Sequence, residues 1–228
     1  MNLASSDSAW ERVASLNVPR THMSVGNVGN QLIVAGGNEY KFSEKGYSHK
    51  TIRDKLELLN VNDPEAGWQT GNPIPTGPRG WAATVNNSDS LYLFGGVTWK
   101  ETGADRYREA WCYFPRQDQW EAKASAPVAI SGWEGALYRD RYALLAGGVA
   151  QRDEPGKAPQ MIWSDLCWAF DCEENQWLRI DGQLPPGAVF NDPGVVIIGN
   201  TIYVTGAEGP FGSHYNYLLV GELKPARP

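Results

Sequence analysis

Four copies of one short pattern constrain the fold of this chain more than any other feature. Each copy has a strand rich in small residues, a polar turn and an apolar strand, and the copies occupy residues 22–37, 81–96, 133–148 and 192–207. All four align without a gap. Three copies end in Gly-Gly, whereas the fourth ends in Gly206 and Ala207. Two strands joined by a polar turn make a β-hairpin, so the sequence predicts four hairpins.

A tryptophan that follows a polar or acidic turn repeats with nearly the same spacing. Three of these tryptophans come after a further apolar strand, LELLNV, AWCYF or LCWAF. Each repeat is therefore interpreted as four strands, a to d, with the tryptophan opening strand d. Proline-containing linkers then lead into the next hairpin. We expect these tryptophans to pack between repeats; they are Trp10, Trp68, Trp120 and Trp177.

This pattern resembles the kelch repeat, in which Gly-Gly and spaced tryptophans mark one blade of a β-propeller. The resemblance covers the whole chain. It implies an all-β fold, a kelch-type β-propeller of four blades with four antiparallel strands each. We expect a single domain over residues 1–228, with blades at about 19–76, 77–128, 129–186, and 187–228 plus 1–18.

The two ends of the chain match each other in this scheme. The chain opens on a d strand at Trp10 and closes on a c strand at 216–223. We therefore expect the N-terminal strand to complete the last blade and close the ring, which leaves no open sheet edge. Kelch rings usually have six or seven blades. Two alternatives thus stay open: a part of a larger ring, or a ring shared by two chains.

Composition excludes several classes of partner. The net charge is −6 with both signs spread along the chain, so the basic stripe that nucleic acid or an anionic membrane requires is absent. No metal is expected, because the three histidines lack ligand spacing. No cofactor motif is found either. We expect a cytoplasmic location, because no signal peptide is visible, although a removed one would leave no trace. The chain is expected to be a monomer or a homodimer.

The blade scheme also predicts where a ligand would bind. Strand direction alternates, so the long b–c loops share one face with the first residues of the inner a strands, which ring the mouth of the central channel. Arginine, tryptophan and carboxylate side chains together suit a sugar. The predicted ligand-binding residues are Arg20, His22, Asn38, Arg79, Trp81, Trp133, Glu134, Asn191 and Asp192.

Structural roles are the alternative for several of these residues. Trp81 and Trp133 are also suited to packing between blades. Arg20 and Arg79 belong to a Pro-Arg element of the repeat, so they are also suited to structural hydrogen bonds. Charged residues in the long loops, Arg106 among them, are interpreted as solvated.

Glu208 is the residue that sets the fourth copy apart. It follows the apolar strand where the other copies have Asn38, Val97 and Val149. The stretch GAEGPFGSH resembles N-G-E-x-x-P-G-x-R in the N-acetylneuraminate epimerase (sialic acid mutarotase) branch of kelch proteins. The resemblance implies that Glu208 is a general base. His214 stands where the branch has arginine, and we take it as the catalytic partner. The alternative is that Glu208 forms an ion pair or holds a backbone amide.

Three functional hypotheses follow. The first is a propeller that binds a sugar at the channel mouth and acts as a mutarotase or epimerase through Glu208. The second is a non-catalytic interaction module for a glycan or a protein partner. The third is a structural or fragment propeller without a ligand. The sequence leaves open whether the protein is an enzyme.

Overall fold

A computed structural model describes residues 10, 12–43, 46–100, 103–180, 182, 184–185, 188 and 191–224. Among these residues the secondary structure is almost entirely strand, with two three-residue 3-10 helices at Pro64–Ala66 and Pro210–Gly212. None of the helices in the described residues has the length and apolar character that a membrane crossing requires.

Four antiparallel sheets lie in a ring, which confirms a four-bladed β-propeller. Strands are numbered in chain order. The first blade contains β1 (Ser24–Val28), β2 (Gln31–Ala35), β5 (Leu56–Asn60) and β6 (Gln69–Gly71), and the second contains β7 (Ala83–Asn86), β8 (Leu91–Phe94), β11 (Ala110–Phe114) and β12 (Gln119–Lys123). The third contains β13 (Ala129–Tyr138), β14 (Tyr142–Arg152), β16 (Cys167–Asp171) and β17 (Gln176–Arg179). The last contains β18 (Gly194–Ile198), β19 (Thr201–Glu208) and β20 (His214–Glu222).

The long b–c loops of the first three blades carry extra strands. In the first blade, β3 (Asn38–Ser43) pairs with β4 (Gly46–Ile52), and in the second, β9 (Val97–Lys100) pairs with β10 (Gly103–Arg106). In the third, β15 (Gln160–Trp163) pairs with the end of β14. These extensions all project on the loop face, beside the channel mouth.

The last blade has three strands among the described residues. The predicted fourth strand depends on residues 1–9 and 11, which lie outside the described residues, so closure by that strand stays a prediction. Trp10 is described and is 97% exposed. The expectation that Trp10 packs between blades is therefore wrong in this structure, because none of the described sheets covers its indole ring.

The Gly-Gly pairs hold successive blades together. The Gly37 N–H donates to the Arg79 carbonyl of the second blade at 2.8 Å, and the Gly96 N–H donates to the Ile130 carbonyl of the third blade at 2.8 Å. A side chain on the preceding glycine would prevent this approach. A Cβ on Gly36 would lie 2.3 Å from the Arg79 oxygen. Glycine is therefore required where one blade meets the next.

Tryptophans of the d strands make a second contact between blades. The Trp120 indole donates to the Asn72 carbonyl at 2.9 Å, and the Trp177 indole donates to the Ala124 carbonyl at 2.7 Å. Each acceptor lies in the preceding blade, four residues after that blade's own tryptophan. Predicted packing between blades is thus confirmed for Trp120 and Trp177. Buried apolar clusters fill the space between the same pairs of blades.

The third hairpin departs from the ungapped alignment by one residue. Its turn has three residues, between Tyr138 and Tyr142, whereas the first and last hairpins have two-residue turns. An odd-length turn shifts the pairing register by one residue. Gly132 therefore takes the place that Trp81 has in the second blade, and Trp133 lies one residue further into the strand.

We predict that Gly95→Ala destabilises the fold more than a matched change elsewhere. Gly95 has φ +61° and a Cβ there would lie 2.4 Å from the Ile130 carbonyl oxygen. Gly199 also has φ +61°, with no atom within 4 Å of its Cβ position. Gly199→Ala should cost about 1–2 kcal/mol for the left-handed backbone, and Gly95→Ala about 1–3 kcal/mol more for the clash. Urea unfolding of both variants measures the difference, and equal losses would contradict the glycine-docking explanation.

Candidate functional site

The channel mouth is built from the same backbone positions in every blade. A short bridge links the start of each inner strand to the residue after the apolar strand. These bridges join Thr21 to Asn38, Gly80 to Val97 and Asn191 to Glu208, and in the third blade Ser131 pairs with Val149. Glu208 is therefore equivalent to Asn38, Val97 and Val149, as the alignment predicts. Those three residues are buried, whereas Glu208 is exposed.

Four residues with left-handed backbone lie next to these bridges. They are His22, Trp81, Gly132 and Asp192, with φ between 52° and 65°. Their backbones form a chain around the mouth: Trp81 donates to the His22 carbonyl, Gly132 to the Trp81 carbonyl and Asp192 to the Gly132 carbonyl, at 3.1, 2.8 and 2.7 Å. The His22 and Trp81 rings stack with their centroids 4.2 Å apart. Three predicted ligand-binding residues thus meet at one rim.

Three carboxylates gather on the side of the mouth that belongs to the third and last blades. The Asn191 amide donates to Asp192 Oδ2 at 3.0 Å and to Glu208 Oε2 at 3.3 Å. Gly132 makes room for this network, because a Cβ there would lie 1.8 Å from Asn191 Oδ1. Glu134 belongs to the same group, because the negative charge of Asp192 contributes to the raised pKa of Glu134. We call Glu134, Asn191, Asp192 and Glu208 the acidic group.

Two of these carboxylates hold their protons more tightly than usual. Burial, and secondly the negative charge of Asp192, raise the pKa of Glu134 to about 7. Asp192 is exposed at the rim, but the protein around its carboxylate replaces part of its water. This burial, and secondly the charge of Glu208, raise the pKa of Asp192 to about 6. The acidic group therefore takes up or releases protons near neutral pH.

Glu208 and His214 are neighbours across two strands. They pair directly in the β19–β20 ladder, so their side chains leave the same face of the sheet. Both side chains are exposed. Glu208 is also close enough to Asp192 to affect the pKa of that carboxyl. The two predicted catalytic residues are thus adjacent and open to solvent at the mouth.

Four predicted ligand-binding residues have no accessible side chain in this structure. Arg20 Nη1 lies 2.6 Å from Glu57 Oε2, and both side chains are buried. Arg79 donates to the Gly95 carbonyl and stacks on Tyr107, and its burial lowers its pKa to about 10. Trp133 donates to the Phe94 carbonyl and stacks on Trp177, as its one-residue shift dictates. Asn38 is fully buried. The alternative structural roles of Arg20, Arg79 and Trp133 fit these contacts.

Arg106 is a site residue that sequence reasoning missed. It was interpreted as a solvated loop charge, but it is half-buried, and its Nε donates to Ser131 Oγ at 3.0 Å. Ser131 precedes Gly132, so this hydrogen bond ties the guanidinium to the third blade's part of the mouth. Burial lowers the pKa of Arg106. The sequence offers only a weak signal for this contact: Arg106 is the last residue of β10, where the chain returns to the mouth.

Among the described residues, no group of three or more His, Cys, Asp or Glu side chains is arranged to hold a metal ion. The acidic group instead offers hydrogen-bond acceptors, and at neutral pH also donors, to a polar organic ligand.

Comparisons with known proteins agree with this architecture. No family model matches the chain. N-acetylneuraminate epimerase of Salmonella typhimurium (strain LT2) is 24% identical over 195 residues, which cover 73% of this chain and 46% of the epimerase. The Haemophilus influenzae epimerase is also 24% identical, over 68% of this chain and 48% of its own length. Kelch-like protein 25 of Xenopus tropicalis is 24% identical over 90% of this chain and 31% of that protein.

The solved structure of YjhT superposes with a TM-score of 0.69 at 16% identity, covering 94% of this chain and 68% of YjhT. The chain fits a kelch propeller and resembles the epimerase branch. It spans about half the length of the epimerases that it matches. The kelch-type fold is thus shown, and the activity of any relative remains a matter for proposal.

We predict that Arg20 stabilises the kelch fold rather than a ligand. Arg20→Met should lower the free energy of unfolding by about 3–5 kcal/mol, because it leaves the buried Glu57 carboxylate without its cation. The double variant Arg20→Met, Glu57→Leu should recover most of this loss, since no unpaired charge remains. Urea unfolding of the two variants checks the prediction. Equal losses in both would show that the ion pair is not the cause.

A second prediction concerns the proton on Glu134. Because its pKa rises from 4.5 to about 7 on folding, the folded state binds more protons and becomes less stable as pH rises from about 4.5 to 7. Glu134→Gln removes this effect. The variant should be more stable than the wild type at pH 8, by on the order of 1–3 kcal/mol, with the difference shrinking to near zero at pH 4. Urea unfolding across this pH range is the measurement, and a pH-independent difference would contradict it.

Proposed function

We propose that this propeller binds a sugar at the channel mouth and catalyses exchange between its anomers. The observation that carries the proposal is the acidic group, in which Asn191 joins Asp192 to an exposed Glu208 at the mouth. Oxygen acceptors set close together suit the neighbouring hydroxyl groups of a sugar. A neighbouring aromatic pair, His22 and Trp81, gives the same rim an apolar surface for a sugar ring.

Glu208 is the base in the proposed reaction. Mutarotation begins when a base removes the proton of the anomeric hydroxyl while an acid gives a proton to the ring oxygen. The bond between the anomeric carbon and the ring oxygen then breaks, and the anomeric carbon becomes a carbonyl. The open-chain sugar then closes on its other face, and both protons return. Glu208 is exposed and anchored by Asn191, so it can take the first proton. His214, paired with it in the ladder, supplies the second.

Glu134 and Asp192 hold the sugar in this scheme. Their raised pKa values make each of them partly protonated near neutral pH. A carboxyl that carries its proton donates a hydrogen bond, and one that has lost it accepts, so the pair can bind hydroxyl groups in either direction. Arg106, held by Ser131 at the same rim, adds one cation for an acidic sugar.

The relatives favour a sugar as the ligand. Epimerases named for N-acetylneuraminate match this chain at 24% identity over most of its length. The chain departs from the motif of that branch, because His214 stands in place of the arginine and the proline is shifted by one residue. We therefore propose sugars with a free anomeric carbon as the substrate class, with N-acetylneuraminate as the first to test.

We predict that Glu208→Gln abolishes anomer exchange above the spontaneous rate. The amide keeps the shape of the side chain but cannot accept a proton, so the rate should fall by about 100-fold or more. NMR exchange spectra of N-acetylneuraminate and of simple aldoses measure the rate. Glu65→Gln is the matched control, since Glu65 is exposed on the opposite face, and it should keep full activity. Equal rates for wild type and Glu208→Gln would refute the role of Glu208.

A non-catalytic interaction module is the second candidate. The β3–β4 and β9–β10 hairpins and β15 extend the loop face, and two large apolar side chains there, Trp99 and Met161, are exposed. Kelch-like protein 25 matches 90% of the chain. If the wild type shows no exchange with any sugar while tryptophan fluorescence still reports sugar binding, the binding role stands without the catalytic one.

A further inference from the structure

The outward face of the last blade is an apolar surface that none of the described sheets covers. Val196 pairs with Tyr203, which also pairs with Val220, so these side chains leave the same face of the sheet. The exposed apolar residues of this face are Val196 (54% exposed), Ile198 (66%), Leu218 (55%) and Val220 (63%). We call them the open face. Apolar patches of this kind on a sheet usually mark an interaction surface.

A docking position at the edge of the open face is also empty. In the first two blades, a Cβ added to Gly36 or to Gly95 would lie within 2.4 Å of a carbonyl oxygen of the next blade. Gly206 is the equivalent residue of the last blade and has nearly the same backbone, with φ +60°. No atom lies within 4 Å of its Cβ position. The last blade thus keeps the glycine of the docking motif without the neighbour that requires it.

The first blade lacks the opposite half of the same contact. Trp120 and Trp177 donate to a carbonyl of the preceding blade, whereas the buried Trp68 indole N–H has no partner among the described residues. Val25 on β1 is 47% exposed. The inner strands of neighbouring blades lie together, β1 with β7, β7 with β13 and β13 with β18, but β18 and β1 lack such close contact among the described residues.

We propose that the open face of one copy docks on the first blade of a second copy. Each copy carries one half of the contact that already joins its own blades, so a second copy supplies the missing half at both ends. Such a contact joins two different surfaces, and two copies are the smallest number in which both surfaces of each copy are covered. The expected assembly is a dimer.

The internal contacts show which residues should meet. Between the second and third blades, Val85 lies 3.0 Å from the Cβ position of Gly135. In the alignment of the second and fourth repeats, Val196 is the equivalent of Val85. Val25 is the equivalent of Gly135 once the one-residue shift of the third hairpin is included. Val196 of one copy should therefore contact Val25 of the second copy.

Association is the first test. Native mass and light scattering should give twice the chain mass of 25.1 kDa. Val196→Glu places a charge in the contact and should weaken the dimer at least about 10-fold. Leu178→Glu is the matched control, because Leu178 is also an exposed apolar residue but lies on β17 of the third blade, and it should leave the dimer intact. A wild type that stays monomeric at high micromolar concentration would overturn the proposal.

Site-directed cross-linking is the second test. It distinguishes a second copy from the chain's own first blade as the partner of the open face. Chains with Val25→Cys and chains with Val196→Cys, mixed and mildly oxidised, should form a disulfide-linked dimer, whereas neither variant should do so alone. The unsubstituted chain controls for its free cysteines, of which Cys112 is buried. If the double variant Val25→Cys, Val196→Cys gives only an internal cross-link at monomer mass, the chain's own first blade covers the open face. That result, or no cross-link at all, would overturn the proposal.

Discussion

One backbone contact determines the architecture of this propeller. In the first two blades, a glycine N–H at the end of the apolar strand donates to a carbonyl of the next blade, from Gly37 to Arg79 and from Gly96 to Ile130. The contact requires a left-handed glycine without a side chain just before it. Two further contacts between blades lie on either side of this hydrogen bond. Trp120 and Trp177 of the d strands pack further from the channel, and the left-handed residues at the mouth continue the blade-to-blade hydrogen bonding inward.

The candidate site follows from that repeated geometry. Every blade brings the residue after its apolar strand to the mouth, but the next blade buries that residue where it docks, as at Asn38 and Val97. None of the described sheets docks on the last blade, so a charged side chain is tolerated there without a burial cost. Glu208 therefore stays exposed, and a hydrogen bond from Asn191, which also donates to Asp192, holds its position. The difference between the fourth repeat and the others thus has a physical origin in what covers it.

The repeats made the fold and the place of Glu208 predictable, because spacing in the sequence translates directly into spacing around the ring. Contacts between distant segments were not predictable. Nothing near Arg20 in sequence shows that Glu57 neutralises it, and nothing near Arg106 shows that Ser131 holds it. Trp133 was misplaced for a different reason. The three-residue turn after β13 was visible in the sequence, and its odd length should have shifted the alignment by one residue.

The proposed association and the proposed site depend on each other through the same docking step. Where the second blade docks on the first, Gly80 lies against Asn38, with its Cβ position 3.4 Å from Asn38 Oδ1. Glu208 is the equivalent of Asn38, and Thr21 is the equivalent of Gly80. A second copy on the open face would therefore place its Thr21, and His22 beside it, against Glu208. Docking would thus supply the wall that the mouth lacks on that side.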